Sequence, residues 1–137
     1  MKVEGRQGII YERVNGPSML RLSMTKSLLI YHLARQLAEL HTEIHRNKVN
    51  ALPSQRASLI RVIQQLESLS PDLQASVLEL LDELPDGNML CHFDFHPDQV
   101  LITASGPVVI DWLMAQQGHP NSDVARTCVI LKFGQLS

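Results

Sequence analysis

The sequence predicts a mainly helical α+β domain, and two observations lead to that class. Through the first two thirds of the chain, apolar residues recur at helical spacing, interrupted by turn clusters at residues 15–18 and 85–88. After residue 88 the spacing changes to that of short strands. Helices and strands that are segregated along the chain, rather than alternating regularly, are typical of the α+β class.

The predicted elements begin with a short strand over residues 8–13. A long helix is then expected over about residues 26–46, because one side of it carries apolar residues at intervals of three and four. That face comprises Leu29, Ile30, Leu33, Ala34, Leu37, Ala38, Leu40, His41 and Ile44. The helix is followed by a linker at residues 50–53.

Two shorter helices are predicted next, over residues 55–69 with Ser54 as the cap and over residues 71–84 with Ser70 as the cap. A β-hairpin is predicted over residues 100–110, around an Ala-Ser-Gly-Pro turn. The last helix is expected from Asp123, capped by Asn121 or Ser122 and ended by Gly134.

Composition excludes several classes of function. The 137-residue chain has a net charge of −2 and no basic patch of the kind that binds nucleic acid. No apolar run approaches the roughly 20 residues of a membrane span, and the N-terminus does not resemble a secretory signal. Cys91 and Cys128 lack the spacing of a zinc site, so we expect two buried thiols in a cytoplasmic protein.

The most informative segment contains His92, Asp94 and His96, then Gln99, and finally Asp111 at the end of an apolar strand. Because a hairpin reverses the chain, Gln99 at its start and Asp111 at its end are expected to face one divalent ion. Mg²⁺ prefers such oxygen ligands. Phosphoryl transfer uses the same order of groups, with Asp94 orienting the attacking hydroxyl.

The segment resembles the catalytic core of the aminoglycoside phosphotransferase and choline kinase superfamily, which is related to the protein kinases. The family pattern is close to His-Gly-Asp-x-His-x-x-Asn, followed by Ile-Asp-Trp or Ile-Asp-Phe. The positions that match are His92, Asp94, His96, Ile110, Asp111 and Trp112. Residues 118–125 resemble the family's Gly-Asp-Pro-x-x-Asp-Leu-Ala, and residues 36–41 resemble its Leu-Ala-x-Leu-His helix, so the resemblance covers most of the chain.

The resemblance implies the C-terminal lobe of a protein-kinase-like fold and an ATP-dependent transfer to a hydroxyl of an aminoglycoside-, choline- or sugar-like molecule. It makes Asp94 the catalytic residue, with ATP as co-substrate and Mg²⁺ as cofactor. The remaining roles divide into metal binding by Gln99 and Asp111, contact of the backbone near Glu12 and Val14 with adenine, and structural support by His92, His96 and Asp123.

Three departures from the family pattern stand out. Phe93 occupies a position that is usually Gly, where its ring would crowd the loop or pack beneath it. Gln99 replaces the usual Asn and is one methylene longer. The chain also begins at the equivalent of the hinge, so we expect a C-terminal-lobe fragment with the N-terminal lobe absent and negligible turnover in isolation.

The expected divisions are a hinge strand at 1–16, a helical part at 17–88, catalytic and metal-binding loops at 89–123 and a final helix at 123–137. An exposed lobe surface near residues 9–14 predicts a homo-oligomer. Two other functions remain open: a non-catalytic kinase-like binding or assembly module, and a metal-dependent hydrolase that binds Zn²⁺ through His92, Asp94 and His96 on one face of a strand. Trp112 is expected to pack in the core.

Overall fold

The computed structural model describes residues 2–3, 6–7 and 11–134. Within them, five α-helices are combined with six short strands, which pair into three separate two-stranded antiparallel sheets. The helices are α1 (Met19–Thr25), α2 (Ile30–Ile44), α3 (Gln55–Gln65), α4 (Pro71–Glu83) and α5 (Pro120–Phe133). The strands are β1 (Lys2–Val3), β2 (Arg6–Gln7), β3 (Met89–Cys91), β4 (Val100–Thr103), β5 (Gly106–Val109) and β6 (Gln116–Gly118). The predicted α+β class is confirmed.

The long helix predicted from residue 26 is wrong at its start. An additional helix, α1, begins where the Ser18 hydroxyl accepts a hydrogen bond from the Arg21 amide. It ends because Lys26 leaves the helical region, with φ at −133° and ψ at 70°. A single 3₁₀ turn at Ser27–Leu29 then leads into α2.

Helices α3 and α4 pack against each other, and the predicted caps Ser54 and Ser70 are confirmed. The guanidinium of Arg56 on α3 donates to the carbonyl oxygen of Leu81, at 2.6 Å, and to that of Leu84 at the end of α4. Helix α3 stops at Gln65 rather than residue 69, because Leu66 adopts an extended conformation.

The predicted hairpin is confirmed as β4 and β5, with Val100 opposite Val109. A second pairing, between β3 and β6, was not predicted; it sets Cys91 opposite Gln116. Of the strand predicted at residues 8–13, residues 8–10 lie outside the described residues, and residues 11–13 do not form a strand.

The main core is formed by α1, α2 and the segment from Phe95 to Val100. Its buried members are Met19, Leu33, Leu37, Ile44, Phe95 and Val100. The segment before α1 is attached to the hairpin, since the Ile102 amide donates to the Pro17 carbonyl at 2.9 Å. Gly16 permits this approach, because a Cβ at that position would collide with the Ile102 carbonyl. The hairpin therefore fixes where the preceding segment runs.

Helix α5 starts three residues earlier than predicted. Its cap is His119, whose Nδ1 accepts the Asn121 amide at 3.2 Å, and not Asn121 or Ser122. Pro120 suits the first helical position, where no amide donor is needed. The helix ends before Gly134, as predicted. Cys91 is buried, but Cys128 on α5 is exposed, so the prediction of two buried thiols is wrong for Cys128.

No helix among the described residues has both the length and the apolar character that a membrane span requires. The homo-oligomer stays a prediction.

Candidate active site

The candidate site is built on the loop between β3 and β4. Phe93 has a φ of 65°, in the left-handed region that glycine adopts most easily. Its side chain is only 7% exposed, so the ring packs inside the protein instead of crowding the cavity side of the loop. The next residue, Asp94, keeps its side chain 32% exposed and thus accessible to a ligand.

Side chains of helix α5 form hydrogen bonds with the backbone of this loop. The carboxylate of Asp123 accepts the amides of His92 and Phe93, both at 2.8 Å. Arg126 donates to the Phe93 carbonyl, and the Thr127 hydroxyl donates to the Phe95 carbonyl at 2.9 Å. Four hydrogen bonds from one helix therefore fix the backbone on both sides of Asp94.

Asp123 is fully buried and is contacted from α2 as well. The Nε2 atoms of His41 and His45 each lie 3.0 Å from its Oδ2. Burial opposes ionisation, but the hydrogen bonds from these two imidazoles and from the Phe93 and His92 amides outweigh it, so the pKa of Asp123 lies well below its usual range. A carboxylate anion thus organises the underside of the loop.

His92 connects the two halves of the candidate site. Its Nδ1 accepts the Asp94 amide at 3.3 Å, and its Nε2 donates to the Ile110 carbonyl at 2.9 Å. These partners define a neutral imidazole with its proton on Nε2. Burial lowers the pKa of His92, while the Ile110 carbonyl and the carboxylates of Asp123, Asp94 and Asp111 act in the opposite direction. His92 therefore links the backbone of Asp94 to the residue before Asp111.

Gln99 contacts Asp94 and the residue that precedes Asp111. Its side-chain nitrogen donates to Asp94 Oδ2 at 3.3 Å, and its carbonyl oxygen accepts the amide of Ile110, the residue before Asp111, at 2.9 Å. His96 Nε2 lies 3.9 Å from the same Oδ2 of Asp94, and its Nδ1 accepts the Asp98 amide. The longer side chain of Gln99 is used to reach Asp94.

Asp111 is exposed and also adopts a left-handed conformation, with a φ of 58°. It lines a cavity of about 520 Å³ together with Glu12 and Val14 from the segment before α1. Trp112, at the same cavity, is 39% exposed and contacts His92 with a centroid distance of 4.6 Å and a tilted ring plane. The prediction that Trp112 packs in the core is wrong, because the residue is exposed beside the His92 ring.

A sequence model described as the phosphotransferase enzyme family (APH) matches residues 2–135. The chain belongs to this phosphotransferase family. No curated protein matches the chain at a significant level. A phosphotransferase-type function is therefore established at the level of the family.

The structure of this phosphotransferase brings Asp94, Gln99 and His96 together, and it places Asp111 with Glu12 and Val14. It does not support a zinc site on one face of a strand. Residues 92–96 form no strand, and both nitrogens of His92 are hydrogen-bonded to the protein. Among the described residues, the group with metal-ligand spacing consists of His41, His45 and Asp123 instead.

Sequence reasoning missed four residues that build the site of this phosphotransferase: His41, His45, Arg126 and Thr127. A signal for the first pair was present, because two histidines four residues apart share one face of a helix. No comparable spacing marks Arg126 and Thr127, whose partners are backbone carbonyls more than 30 residues away.

Proposed function

We propose that this phosphotransferase transfers the γ-phosphoryl group of ATP to a hydroxyl of a small molecule that is aminoglycoside-, choline- or sugar-like. The observation that carries the proposal is the arrangement around His92. Its ring is hydrogen-bonded to the backbone of Asp94 on one side and to the carbonyl before Asp111 on the other. This arrangement supports a role for the Asp94 carboxylate towards the acceptor and for the Asp111 carboxylate towards a cation.

Asp94 is the proposed catalytic residue. Its accessible carboxylate accepts a hydrogen bond from the acceptor hydroxyl and aligns that oxygen with the γ-phosphorus. The backbone bonds from α5 and the contact with Gln99 keep this carboxylate in place before the substrate arrives. Such positioning can supply roughly 7–11 kcal/mol of barrier lowering in favourable cases.

Gln99 and Asp111 are the proposed Mg²⁺ ligands. They offer amide and carboxylate oxygens, the hard donors that Mg²⁺ prefers, and Asp111 is exposed on the wall of the cavity. When bound there, Mg²⁺ would neutralise the negative charge of the phosphates. The donation of the Gln99 nitrogen to Asp94 orients the amide, leaving its oxygen as the atom available for a cation.

Glu12 and Val14 are proposed to receive the adenine. They line the same 520 Å³ cavity as Asp111, and the backbone of this segment offers amide and carbonyl groups to a purine edge. The cavity volume falls in the range of small-molecule sites, and its lining includes the apolar residues Val108 and Ile110, which suit an aromatic base.

A kinase-like C-terminal lobe is the proposed framework, with the hinge in residues 1–16, the helical part in 17–88, the catalytic and metal-binding loops in 89–123 and the final helix in 123–137. The attachment of residues 16–18 to the hairpin supports this division. His92, His96 and Asp123 are then supporting residues.

A second candidate, the non-catalytic kinase-like module, is favoured by one observation. Phe93 adopts a left-handed conformation at a position that is usually Gly in the resembling family. A loop that keeps a bulky residue in this strained conformation differs from the glycine-containing loop of the resembling family. The two candidates differ in one measurable property, the turnover of ATP with an acceptor.

The test is phosphorylation of a panel of hydroxyl acceptors by the protein expressed from its complete reading frame, with radiolabelled ATP and Mg²⁺. The expected result is acceptor-dependent transfer that falls by about 100-fold or more in Asp94→Asn, because loss of the positioned base removes an effect of that order. Asp98→Asn is the matched control, since Asp98 is a neighbouring carboxylate outside the proposed machinery. Binding of ATP without transfer to any acceptor would favour the non-catalytic module.

A further inference from the structure

The strongest feature outside the phosphotransfer site is the group formed by His41, His45 and Asp123. One ligand atom from each residue lies within 4.8 Å of the other two. His41 lies on α2, His45 is the residue at which α2 ends, and the carboxylate comes from α5. We propose that these three side chains form a Zn²⁺ site that braces the loop from beneath.

The separations of the donor atoms suit a tetrahedral cation. Zn²⁺ bonds of about 2.0–2.1 Å to imidazole nitrogen and carboxylate oxygen place neighbouring donor atoms about 3.3 Å apart. Each Nε2 already lies 3.0 Å from Asp123 Oδ2. The ligand atoms of the two imidazoles lie within 4.8 Å of each other, so adjustment of these side chains would admit the ion.

The surroundings have the features that orient metal ligands. The carboxylate of Asp123 is held by the amides of His92 and Phe93, and such outer hydrogen bonds fix a ligating group in direction. The His41 ring is packed between the rings of His45 and Phe95, at centroid distances of 4.3 and 4.5 Å. The donor set is thus assembled and restrained by the fold.

The charge and the hydrogen bonding of Asp123 also favour a bound cation. Asp123 Oδ2 has three nitrogen neighbours, the two imidazoles and the His92 amide, which is a crowded set for one oxygen. A fully buried carboxylate is further stabilised by a positive partner, and a bound cation would supply that charge. Two neutral nitrogens with one carboxylate are ligands typical of Zn²⁺ and its transition-metal neighbours rather than Mg²⁺.

The site is distinct from the proposed Mg²⁺ site and does not depend on phosphoryl transfer. Its occupancy would stabilise the loop backbone whether or not the protein turns over ATP. Measurements of binding and stability therefore test it independently of activity.

The test is titration of the tag-free, chelator-treated protein with ZnCl₂, followed by calorimetry and thermal unfolding. We expect one Zn²⁺ per chain and a higher Tm, because an ion that binds only the folded state stabilises it. His45→Gln retains a side-chain amide donor for Asp123 but removes a metal-binding nitrogen, so it is expected to weaken binding by roughly 10-fold or more. His32→Gln, on an exposed residue of the same helix, is the matched control and should bind as the wild type does.

Substitution of Co²⁺ gives a second readout that needs only the wild-type protein. Intense visible absorption bands of tetrahedral Co²⁺ are expected at one equivalent and should be displaced by Zn²⁺. Absence of these bands, or equal Zn²⁺ affinity in the wild type and a folded His45→Gln, would show that the three residues form only a hydrogen-bonded group and would overturn the proposal.

Discussion

The side-chain nitrogen of Gln99 lies 3.3 Å from Oδ2 of Asp94. This contact joins the proposed catalytic carboxylate to a proposed metal ligand, and it uses the methylene by which glutamine exceeds the asparagine usual in the resembling family. The same residue accepts the Ile110 amide through its backbone carbonyl. A side-chain substitution at Gln99 therefore removes the contact with Asp94 but keeps the backbone link to Ile110.

Replacement of Gln99 by Leu should lower kcat of the complete protein by about 10- to 100-fold, as expected for loss of a hydrogen bond to a charged group. The apparent affinity for Mg²⁺ should fall as well, because the amide oxygen is removed. Initial rates measured over a range of MgCl₂ concentrations check both effects. The control is Gln64→Leu on the exposed side of α3. An unchanged Mg²⁺ dependence would exclude Gln99 as a ligand.

Replacement of Asp123 by Asn should lower the free energy of unfolding by about 3–5 kcal/mol, the loss typical of a broken buried ion pair. The asparagine NH₂ group would face two imidazoles and a backbone amide, and the loop would lose its anion. Urea denaturation measures the change, and Glu67→Gln on an exposed residue is the control. Equal destabilisation by the two substitutions would contradict the role of Asp123.

The same carboxylate predicts a dependence of stability on pH. Because the folded-state pKa of Asp123 is depressed, its contribution is present above the ordinary value of 3.8 and is lost as the pH falls below it. Unfolding free energies compared at about pH 5 and about pH 3 should therefore fall more steeply for the wild type than for Asp123→Asn.

At position 93 we expect glycine to give a more stable protein than alanine, which reverses the usual order of stability. Both substitutions remove the buried ring, but only glycine relieves the left-handed backbone, whose strain is about 1–2 kcal/mol for an L-residue. After allowance for the greater freedom of glycine in the unfolded chain, Phe93→Gly should be more stable than Phe93→Ala by about 0.5–1 kcal/mol. Thermal unfolding of the two variants decides the sign, and a more stable alanine variant would show that the loop changes conformation.

The two cysteines should differ sharply in reactivity. Cys128 is exposed, whereas Cys91 is buried and its desolvation raises the pKa of the thiol to about 12. A thiol-specific reagent at mildly alkaline pH should modify one cysteine in the folded protein and both after denaturation. Because the folded-state pKa is raised, Cys91 also predicts a loss of stability as the pH rises from 9.0 towards 12. Peptide mapping that finds rapid labelling of Cys91 would contradict its burial.

Gly16→Ala should destabilise the protein by about 1–3 kcal/mol, the range for forced overpacking, because the new methyl would meet the Ile102 carbonyl. It should also weaken ATP binding, since this contact positions the segment that carries Glu12 and Val14. Calorimetric titration with ATP provides the measurement. Ser105→Ala at the exposed hairpin turn is the control.

Local patterns in the sequence were sufficient for α3 and α4, which begin at the serine caps Ser54 and Ser70, and for the β4–β5 hairpin, since each depends on residues close in sequence. Helix α1 was missed because it has only seven residues. The β3–β6 pairing was missed because three-residue strands carry too little alternation to be recognised.

In the candidate site too, contacts between residues close in sequence were predictable and contacts between distant residues were not. The proximity of Gln99 to the residue before Asp111 could be predicted, because a hairpin joins them. The resemblance led to the expectation that Asp123 supports the loop, but its contact with His41 could not be predicted, since His41 lies 82 residues away along the chain. The left-handed backbone of Phe93 was also beyond prediction, because a bulky residue rarely adopts it.

The attachment of the catalytic loop to α5 has a consequence for the order of folding. The buried amides of His92 and Phe93 obtain their acceptor from a residue about 30 positions later. During synthesis on the ribosome, these amides have no such partner until Asp123 has emerged and α5 has docked on α2. An unsatisfied buried amide is costly, so the loop cannot settle before that time. The loop that carries Asp94 is therefore among the last parts of this chain to form, however early its own residues are made.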